Sequence, residues 1–339
     1  MLKNIIISRT DGIGDVILTL PVAGLLKKVY PNVTIWFIGR SYTAPVIAAC
    51  EHVDEFINRD NLEPMTERQQ IDLLQQSLAD AIVHVFPDKF IARLAKRSGI
   101  PIRIGTSHRF HHWFTCNKLV HEGRKRSPLH EAELNVRLLR PLGIQPPVSR
   151  AELVPLTGLT RPEPLEPQYE ALLDPHRFNL ILHPTSKGSA REWGVNNYSE
   201  LIQLLPQERY KVFVSGSAEE GARLLQHPKL WQHGATNITG AMPLDQFIAF
   251  IARADGLIAA STGPLHIAAA LGKVALGIYA PMRPIHPGRW CPLGPRAGFL
   301  VRDKQCQLCR HDNHCACMES ITPVEVCARL EQLIVTDGK

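Results

Sequence analysis

Three segments of the sequence place glycines, hydroxyls and charged side chains where an apolar, strand-like run gives way to a helical pattern. They cover residues 9–15, 183–193 and 261–266. In parallel α/β proteins such turns lie at the carboxyl ends of the strands, where ligands bind. The chemistry available there is anion binding by backbone N–H groups and cationic side chains, and proton transfer by a carboxylate.

The first segment begins at Arg9 and contains Gly12, Gly14 and Asp15. The glycines permit close approach of a ligand to the backbone, and the N–H groups of the following helix could receive an anion. Asp15 could act as a general base towards a hydroxyl, or it could merely cap the helix. A dinucleotide site would want a third glycine where Ile17 stands, so we predict no NAD site.

The second segment carries Thr185, Ser186 and Arg191 on one loop. Hydroxyls and small residues suit phosphate oxygens, and a guanidinium group binds such oxygens in a bidentate manner. An ordinary polar loop between a strand and a helix would have a similar composition. Taken alone, the segment is therefore compatible with either interpretation.

The third segment contains Ser261, Thr262, Gly263 and His266 ahead of an apolar helical pattern. Ser261 or Thr262 could cap that helix, and the N–H groups of the loop could hold a diphosphate. His266 falls on the first helical turn. A single histidine can be a packed residue or a ligand-binding one, and both remain open here.

Four cysteines near the end of the sequence, with His311 and His314 among them, have spacings compatible with structural zinc. The alternative is a set of free thiols in a compact loop. Catalytic use is disfavoured because the cluster is distant in sequence from the three segments. The cysteines are Cys306, Cys309, Cys315 and Cys317.

Composition excludes several classes of protein. The chain has 339 residues, a length that suggests two domains. Its 45% of apolar side chains is typical of a globular protein and rules out a disordered chain. No apolar stretch is long enough to span a membrane, and the first residues do not resemble a signal peptide. We therefore predict a cytoplasmic location.

The net charge of +6 is concentrated in residues 87–150. This segment holds 13 Lys and Arg against 4 Asp and Glu, together with five histidines. Such a surface suggests a large anionic partner, although a solvated face without a partner would look the same. Nucleic acid would fit the charge, but no nucleic-acid-binding motif accompanies it, and we predict none as partner.

Short apolar runs alternate with helical patterns along most of the chain, which predicts an α/β protein with parallel sheets. Strands are predicted at 4–7, 33–38, 81–85, 180–182, 211–214, 256–259 and 274–279. Helices are predicted at 16–29, 66–78, 131–142, 198–205, 244–253 and 265–271. Six prolines between residues 145 and 167 interrupt the alternation, and we interpret that stretch as a linker between two domains.

Together the three segments resemble the heptosyltransferase family, family 9 of the glycosyltransferases. The matching patterns are Gly14-Asp15-Val16 followed by Leu20-Pro21, His183-Pro184-Thr185 followed by Arg191-Glu192-Trp193, and Ser261-Thr262-Gly263 followed by His266 and an alanine-rich helix. Their order and separations agree with the family over nearly the whole chain.

The resemblance implies two Rossmann-like domains facing across a cleft, the GT-B architecture. Residues 1–160 would form an acceptor-binding domain and residues 161–339 a nucleotide-sugar-binding domain. The implied activity is inverting transfer of a sugar, typically heptose from ADP-heptose, to a phosphorylated glycolipid of the lipopolysaccharide core. The enzyme would need no cofactor and would contact the cytoplasmic face of the inner membrane.

The resemblance also assigns roles to residues. Asp15 would be the catalytic base, with Arg9, Gly12 and Gly14 on the acceptor side. The donor would be bound by one of two neighbouring glutamates and by the second and third segments, through Thr185, Ser186, Arg191, Glu219, Glu220, Ser261, Thr262, Gly263 and His266.

Two positions depart from the family pattern. Arg191 stands where the family has a lysine, and Ser261 stands where the best-known members have aspartate. These departures leave sugar transfer favoured but weaken ADP-heptose as the donor. The alternatives are a nucleotide-sugar epimerase, which would consume donor without an acceptor, and a non-catalytic sugar-nucleotide or lipopolysaccharide-binding protein.

Overall fold

The computed structural model describes residues 2–124, 127–186, 188, 190–283, 285–302 and 315–335. The chain forms two compact units, Met1–Arg161 and Pro162–Lys339. The predicted boundary lies one residue earlier, between residues 160 and 161.

The first unit contains a parallel sheet with the strand order β3-β2-β1-β4-β5-β6. The register is set by pairs such as Ile6 with Trp36 and Ile6 with Ile82. Ile5, Ile6 and Ile7 are fully buried, as expected for a central strand covered on both faces. The strands are β1 (Asn4–Ser8), β2 (Thr34–Gly39), β3 (Glu55–Asn58), β4 (Ala81–His84), β5 (Ile102–Thr106) and β6 (Lys118–Val120).

Helices follow most strands of this unit and supply its outer layers. They are α1 (Ile13–Ile17), α2 (Leu20–Val29), α3 (Ala44–Ala48), α4 (Arg59–Leu62), α5 (Glu67–Gln76), α6 (Lys89–Arg97), α7 (His112–Thr115) and α8 (Glu131–Val136). Short 3₁₀ helices cover Ser41–Thr43, Arg137–Leu142 and Arg150–Leu156.

The second unit repeats the same topology. Its parallel sheet has the order β12-β11-β10-β7-β8-β9, so the first strand of the unit, β7, again pairs with the second and the fourth. The strands are β7 (Phe178–His183), β8 (Tyr210–Val214), β9 (Thr236–Asn237), β10 (Gly256–Ala260), β11 (Val274–Tyr279) and β12 (Ala297–Val301).

The helices of the second unit pack around a core that contains Trp193 and Tyr198, both fully buried. The Trp193 indole donates to the Ile321 carbonyl at 2.8 Å and so attaches the end of the second segment to the last helices. The helices of the second unit are α9 (Pro167–Glu170), α10 (Val195–Leu204), α11 (Ala218–Leu224), α12 (Leu244–Arg253), α13 (Gly263–Ala270), α14 (Pro287–Trp290), α15 (Ala316–Glu319) and α16 (Pro323–Val335), with a 3₁₀ turn at Pro228–Trp231.

Both units have the strand order of a Rossmann fold, which confirms the predicted α/β class. In this order the chain reverses direction across the sheet between its first and fourth strands, and ligands bind beyond the carboxyl ends at that point. The switch points are the ends of β1 and β4 in the first unit and of β7 and β10 in the second. All three chemical segments follow one of these strands.

Three helix and linker predictions need correction. The predicted helix 16–29 is broken at Leu18 and Thr19, because Pro21 cannot continue a helix that already contains Ile17. The helix predicted over 131–142 is α8 followed by a 3₁₀ segment that contains Pro141. The predicted linker 145–167 is largely folded, since its 3₁₀ helix packs on α2 and belongs to the first unit.

Among the described residues, no helix is both long and apolar enough to cross a membrane.

Candidate functional site

The first segment forms a charged cluster beyond the end of β1. The Arg9 side chain is almost fully buried and meets three carboxylates. Its Nε lies 2.5 Å from Asp11 Oδ1, its Nη1 lies 3.2 Å from Glu131 Oε1, and its Nη2 bonds Asp15 Oδ1. One guanidinium group therefore fixes two neighbouring carboxylates of the segment, Asp11 and Asp15.

Asp15 is positioned by its ion pair with Arg9 and by its place in the first turn of a helix. It lies in the first turn of α1, with Gly12 as N-cap, so it sits at the start of the helix as predicted. A side chain at position 12 would place its Cβ 3.0 Å from Asp15 Oδ2, so it would press on the Asp15 carboxylate. Gly14 belongs to the same short helix and accepts the Leu18 N–H at 3.0 Å. The Asp15 side chain remains 26% exposed, so a substrate hydroxyl can reach it.

A second layer supports this cluster, and sequence reasoning missed it. Glu131, fully buried at the start of α8, pairs with both Arg9 and Arg124. Arg124 also donates to Asn135 Oδ1 at 2.9 Å, and Asn135 Nδ2 donates to the Leu18 carbonyl at 2.9 Å. This network connects the turn that carries Asp15 to α8, more than a hundred residues later in the chain.

Asp11 is a second carboxylate of the cluster with altered acidity. Burial raises its pKa to about 6, against the opposing charge of Arg9 and with the help of the nearby Asp15 carboxylate. Its backbone carbonyl accepts the Tyr42 hydroxyl at 2.8 Å. A carboxyl group that exchanges its proton near neutral pH is suited to general acid–base chemistry, so Asp11 is a further candidate at this site.

The second and third segments follow neighbouring strands of the other unit. β7 and β10 pair directly, with His183 opposite Ala259, so the loops beyond both strands leave the same edge of the sheet side by side. His183 Nδ1 lies 2.9 Å from Ser215 Oγ, which itself donates to the Leu182 carbonyl at 3.2 Å. The contact fixes the His183 ring beside Ser215, and the tautomer of the ring decides which of the two groups donates.

Thr185 and Glu220 meet beside His183. Burial raises the pKa of Glu220, but the Ser217 backbone N–H, which donates to Oε2 at 2.7 Å, and the nearby Thr185 and Ser217 hydroxyls outweigh this, and the pKa lies below its ordinary value. The Thr185 hydroxyl itself has no partner at hydrogen-bond geometry among the described residues. Burial lowers the pKa of His183 to about 4, against the charge of Glu220. Glu219 is exposed, whereas Glu220 is buried against the loop, which separates the two predicted glutamates.

Ser186 is engaged within its own loop. Its N–H donates to Glu192 Oε1 at 2.9 Å, and its hydroxyl donates to the Ala190 carbonyl at 2.8 Å. These bonds close the loop into a compact turn that brings Arg191 to a half-buried position. Ser186 therefore shapes the loop through its side chain.

The third segment contains polar atoms without protein partners. Thr262 is the N-cap of α13, with Gly263 as the first helical residue, yet its side chain makes no capping hydrogen bond. Thr262 Oγ1 and His266 Nδ1 are buried and have no hydrogen-bond partner among the described residues. Burial lowers the pKa of His266 to about 4, so its ring is neutral at pH 7. Ser261, by contrast, bonds the Tyr279 hydroxyl.

The predicted zinc site falls partly outside the described residues, since Cys306 and Cys309 lie beyond them. Cys315 is buried and Cys317 is half-buried at the start of α15. The described part of the chain contains no group of three or more His, Cys, Asp or Glu side chains arranged to hold a metal ion.

The basic segment 87–150 is less charged than its composition suggests. His112 is buried, and burial lowers its pKa to about 4. His130 is also buried and caps α8 by accepting the Ala132 N–H through Nδ1, which requires a ring nitrogen without a proton. The prediction that all five histidines add to the basic surface is therefore wrong for these two.

The chain is similar to known proteins along most of its length. The model of glycosyltransferase family 9 (heptosyltransferase) matches residues 82–318. A Haemophilus influenzae protein, named as a glycosyltransferase by inference and without a substrate, is 25% identical over 300 residues, or 86% of each chain. Lipopolysaccharide heptosyltransferase 2 of Escherichia coli is 24% identical over 294 residues, or 83% of this chain and 84% of the relative.

Solved structures show the same fold. The structure of Escherichia coli ADP-heptose lipopolysaccharide heptosyltransferase II aligns with 99% of this chain and 100% of that chain, with a TM-score of 0.74 and 21% identity. At this identity the likeness establishes the fold, which is that of the GT-B glycosyltransferases, as predicted.

Proposed function

The chain belongs to glycosyltransferase family 9, the heptosyltransferase family, and on that premise we propose that it transfers heptose from ADP-heptose to the lipopolysaccharide core with inversion at the anomeric carbon. Support for the donor and acceptor comes from the names of its relatives, which include a lipopolysaccharide heptosyltransferase and an ADP-heptose enzyme of the same fold.

The observation that carries the proposal is the pair of unpartnered polar atoms in the third segment. Burying a hydroxyl or ring nitrogen without a partner costs roughly 1–3 kcal/mol, and a ligand that bonds these atoms at the end of a strand offsets that cost. Thr262 Oγ1 and His266 Nδ1 lie at the start of α13, whose dipole and N–H groups favour an anion. A donor diphosphate supplies the missing acceptors.

The remaining donor contacts are assigned from position. Thr185 and Arg191 on the neighbouring loop would bind the other phosphate oxygens, and Arg191 would stabilise the charge that develops as ADP leaves. Glu220, buried beside Thr185, is better placed than the exposed Glu219 to accept a hydroxyl of the donor nucleoside. These contacts supply the positive charge and donors for the leaving group, so the proposal includes no cofactor. A structural zinc at the cysteine cluster remains a separate proposal.

In the proposed reaction the Asp15 carboxylate removes the proton from an acceptor hydroxyl. The oxygen attacks the anomeric carbon from the face opposite the diphosphate, the bond from that carbon to the phosphate oxygen breaks, and ADP departs with the electron pair. Arg9 holds Asp15 in place for this step. The basic surface of residues 87–150 would bind the phosphates of the glycolipid acceptor at the cytoplasmic face of the inner membrane.

The experiment is a transfer assay with purified protein, ADP-heptose and heptose-deficient lipopolysaccharide, following ADP release and the mass of the glycolipid. The proposal expects ADP and a glycolipid heavier by one heptose, formed together and only when both substrates are present. NMR of the new linkage should show the inverted anomeric configuration. Consumption of the donor without an acceptor would instead indicate an epimerase or hydrolase, and transfer from UDP- or GDP-sugars alone would replace the donor.

A further inference from the structure

The most exposed aromatic rings among the described residues lie together. Phe110 is 77%, Trp113 is 62% and Phe114 is 61% exposed, and all three fall within five residues of the β5–β6 connection. Single exposed apolar side chains are ordinary on a protein surface, but a cluster of three large rings is not, because together they expose a contiguous apolar patch to water. We refer to these three residues as the aromatic surface.

The aromatic surface is held by the fold and does not depend on a flexible loop. On the opposite side of α7, His112 and Thr115 are buried, so the helix can point Trp113 and Phe114 only outward. The Trp113 indole donates to the Ser107 carbonyl at 2.7 Å. The Phe110 and Phe114 rings pack edge to face with centroids 5.0 Å apart.

A band of positive charge adjoins the aromatic surface. Helix α6 buries one face and exposes the other, which carries a cation at each accessible turn. Lys96 Nζ donates to the Phe114 carbonyl at 2.8 Å and so joins this face to the aromatic surface. The basic face of α6 consists of Lys89, Arg93, Lys96 and Arg97.

Most of this charge is not neutralised by the protein. Arg97 pairs with Glu67. Lys89, Arg93 and the exposed Arg109 beside Phe110 form no ion pair with a carboxylate among the described residues. The cations therefore remain available to an external anion.

We propose that the aromatic surface and the basic face of α6 form a docking site for an anionic phospholipid bilayer. Aromatic rings favour the boundary between headgroups and acyl chains, and adjacent cations are attracted to an anionic membrane surface. A second copy of the chain would bring like charges together beside the rings, whereas an anionic bilayer supplies both the negative charge and the apolar layer that this surface lacks. The docking itself does not depend on the proposed function. Only its role, which is to bring the enzyme to a glycolipid acceptor, rests on that function.

The test is sedimentation of the full chain with vesicles that contain no lipopolysaccharide. Vesicles of phosphatidylethanolamine with 30% phosphatidylglycerol should bind the protein at least tenfold more tightly than vesicles of phosphatidylcholine. The double variant Phe110→Ser with Phe114→Ser should lose at least tenfold in affinity for the anionic vesicles. Leu225→Ser, at a 60% exposed apolar position in the other unit, is the matched control and should bind within twofold of the original chain.

Fluorescence locates the contact. Among the five tryptophans, Trp113 is exposed, and the other four are buried or half-buried. Brominated anionic lipids should quench the emission of the original chain, and Trp113→Phe, which keeps an aromatic ring, should bind the vesicles but lose most of the quenching. Quenching that persists in Trp113→Phe would show that another face meets the lipid.

Three further results would overturn the inference. They are equal affinity for neutral and anionic vesicles, unchanged binding by the double variant, or conversion of a dimer to a monomer by the double variant without any effect on vesicle binding. The last result would assign the surface to self-association. ADP should raise the melting temperature of the double variant and of the original chain equally, so a failure of docking is distinguishable from a failure of the proposed function.

Discussion

The two units share one sheet topology and place opposite kinds of chemistry at the same point of it. Beyond β1, Arg9 is surrounded by Asp11, Asp15 and Glu131, and its polar atoms are paired. Beyond β10, Thr262 and His266 are uncharged, and Thr262 Oγ1 and His266 Nδ1 have no partner in the part of the chain that the structure describes. The Arg9 cluster is thus built from paired charges, whereas the third segment offers neutral polar atoms at the start of a helix.

This difference indicates a division of labour. A carboxylate that must remove a proton needs fixed geometry before the substrate arrives, and the Arg9 cluster provides it. A loop that must hold a charged leaving group gains from donors that are already desolvated and unoccupied. This division agrees with the proposal that the base lies in the first unit and the donor diphosphate binds to the second.

The largest effect should come from Asp15→Asn. If Asp15 is the base, this variant should lose roughly a thousandfold in the rate of transfer, because general base catalysis is typically worth 10²–10⁴. Its melting temperature should change little, since Asp15 is partly exposed. Asp11→Asn is the matched control on the same guanidinium group and should lose less than tenfold. A larger loss in Asp11→Asn than in Asp15→Asn would move the base to Asp11.

Glu131→Gln tests whether the cluster is as fully paired as the comparison requires. It removes a buried charge from between Arg9 and Arg124, and breaking such a pair should cost about 3 kcal/mol of stability. The measurement is the free energy of unfolding of the first unit in urea.

The matched control for that substitution is Glu122→Gln. Glu122 also bonds two arginines, Arg137 and Arg140, but nearer the surface, where such pairs are worth less than about 1 kcal/mol. Equal losses in Glu131→Gln and Glu122→Gln would contradict a special role for burial in the Arg9 cluster.

Acid sensitivity should appear in both units. Burial lowers the pKa of His84 to about 3 and of His112 to about 4 in the first unit, and of His183 and His266 to about 4 in the second. Unfolded histidine takes up a proton below pH 6.5, whereas these folded rings stay neutral. Each should therefore cost about 1.4 kcal/mol per pH unit as the pH falls from 6.5 towards 4.

Substitution separates the contributions to that acid sensitivity. His84→Phe should flatten the fall of the melting temperature between pH 6.5 and pH 4.5 for the first unit, because neither His84 ring nitrogen has a partner among the described residues. His176→Phe, at an exposed position, should leave the pH profile unchanged. An unchanged profile in His84→Phe would refute the assignment of a neutral buried ring.

Much of the fold could be predicted from the periodicity of apolar residues. The strands that could not be predicted lie at a sheet edge or next to one. All seven predicted strands are present, and they are the continuously apolar, central or near-central ones. The strands β3, β5, β6, β9 and β12 were not predicted. Arg103 in β5 and Lys118 in β6 interrupt the apolar pattern, which is tolerated because strands near a sheet edge are less deeply covered.

The residues of the candidate site also fall into those that could be predicted from the sequence and those that could not. Turns after predicted strands located Asp15, Thr185 and Thr262, since the chemistry of a Rossmann sheet is local to those turns. Glu131 could not be found by such reasoning. Its contact with Arg9 spans 122 positions of the chain and has no local pattern, because it depends on how α8 packs against α2.

The division of labour is tested most directly by calorimetric titration with ADP. Thr262→Val removes one hydroxyl that has no protein partner, and it should weaken ADP binding about tenfold, the value of one hydrogen bond to a charged group. Asp15→Asn should bind ADP within twofold of the original chain. Thr157→Val, which also removes a buried and unpartnered hydroxyl but in the first unit, should do the same. Unchanged binding in Thr262→Val, or an equal loss in Asp15→Asn, would contradict the account.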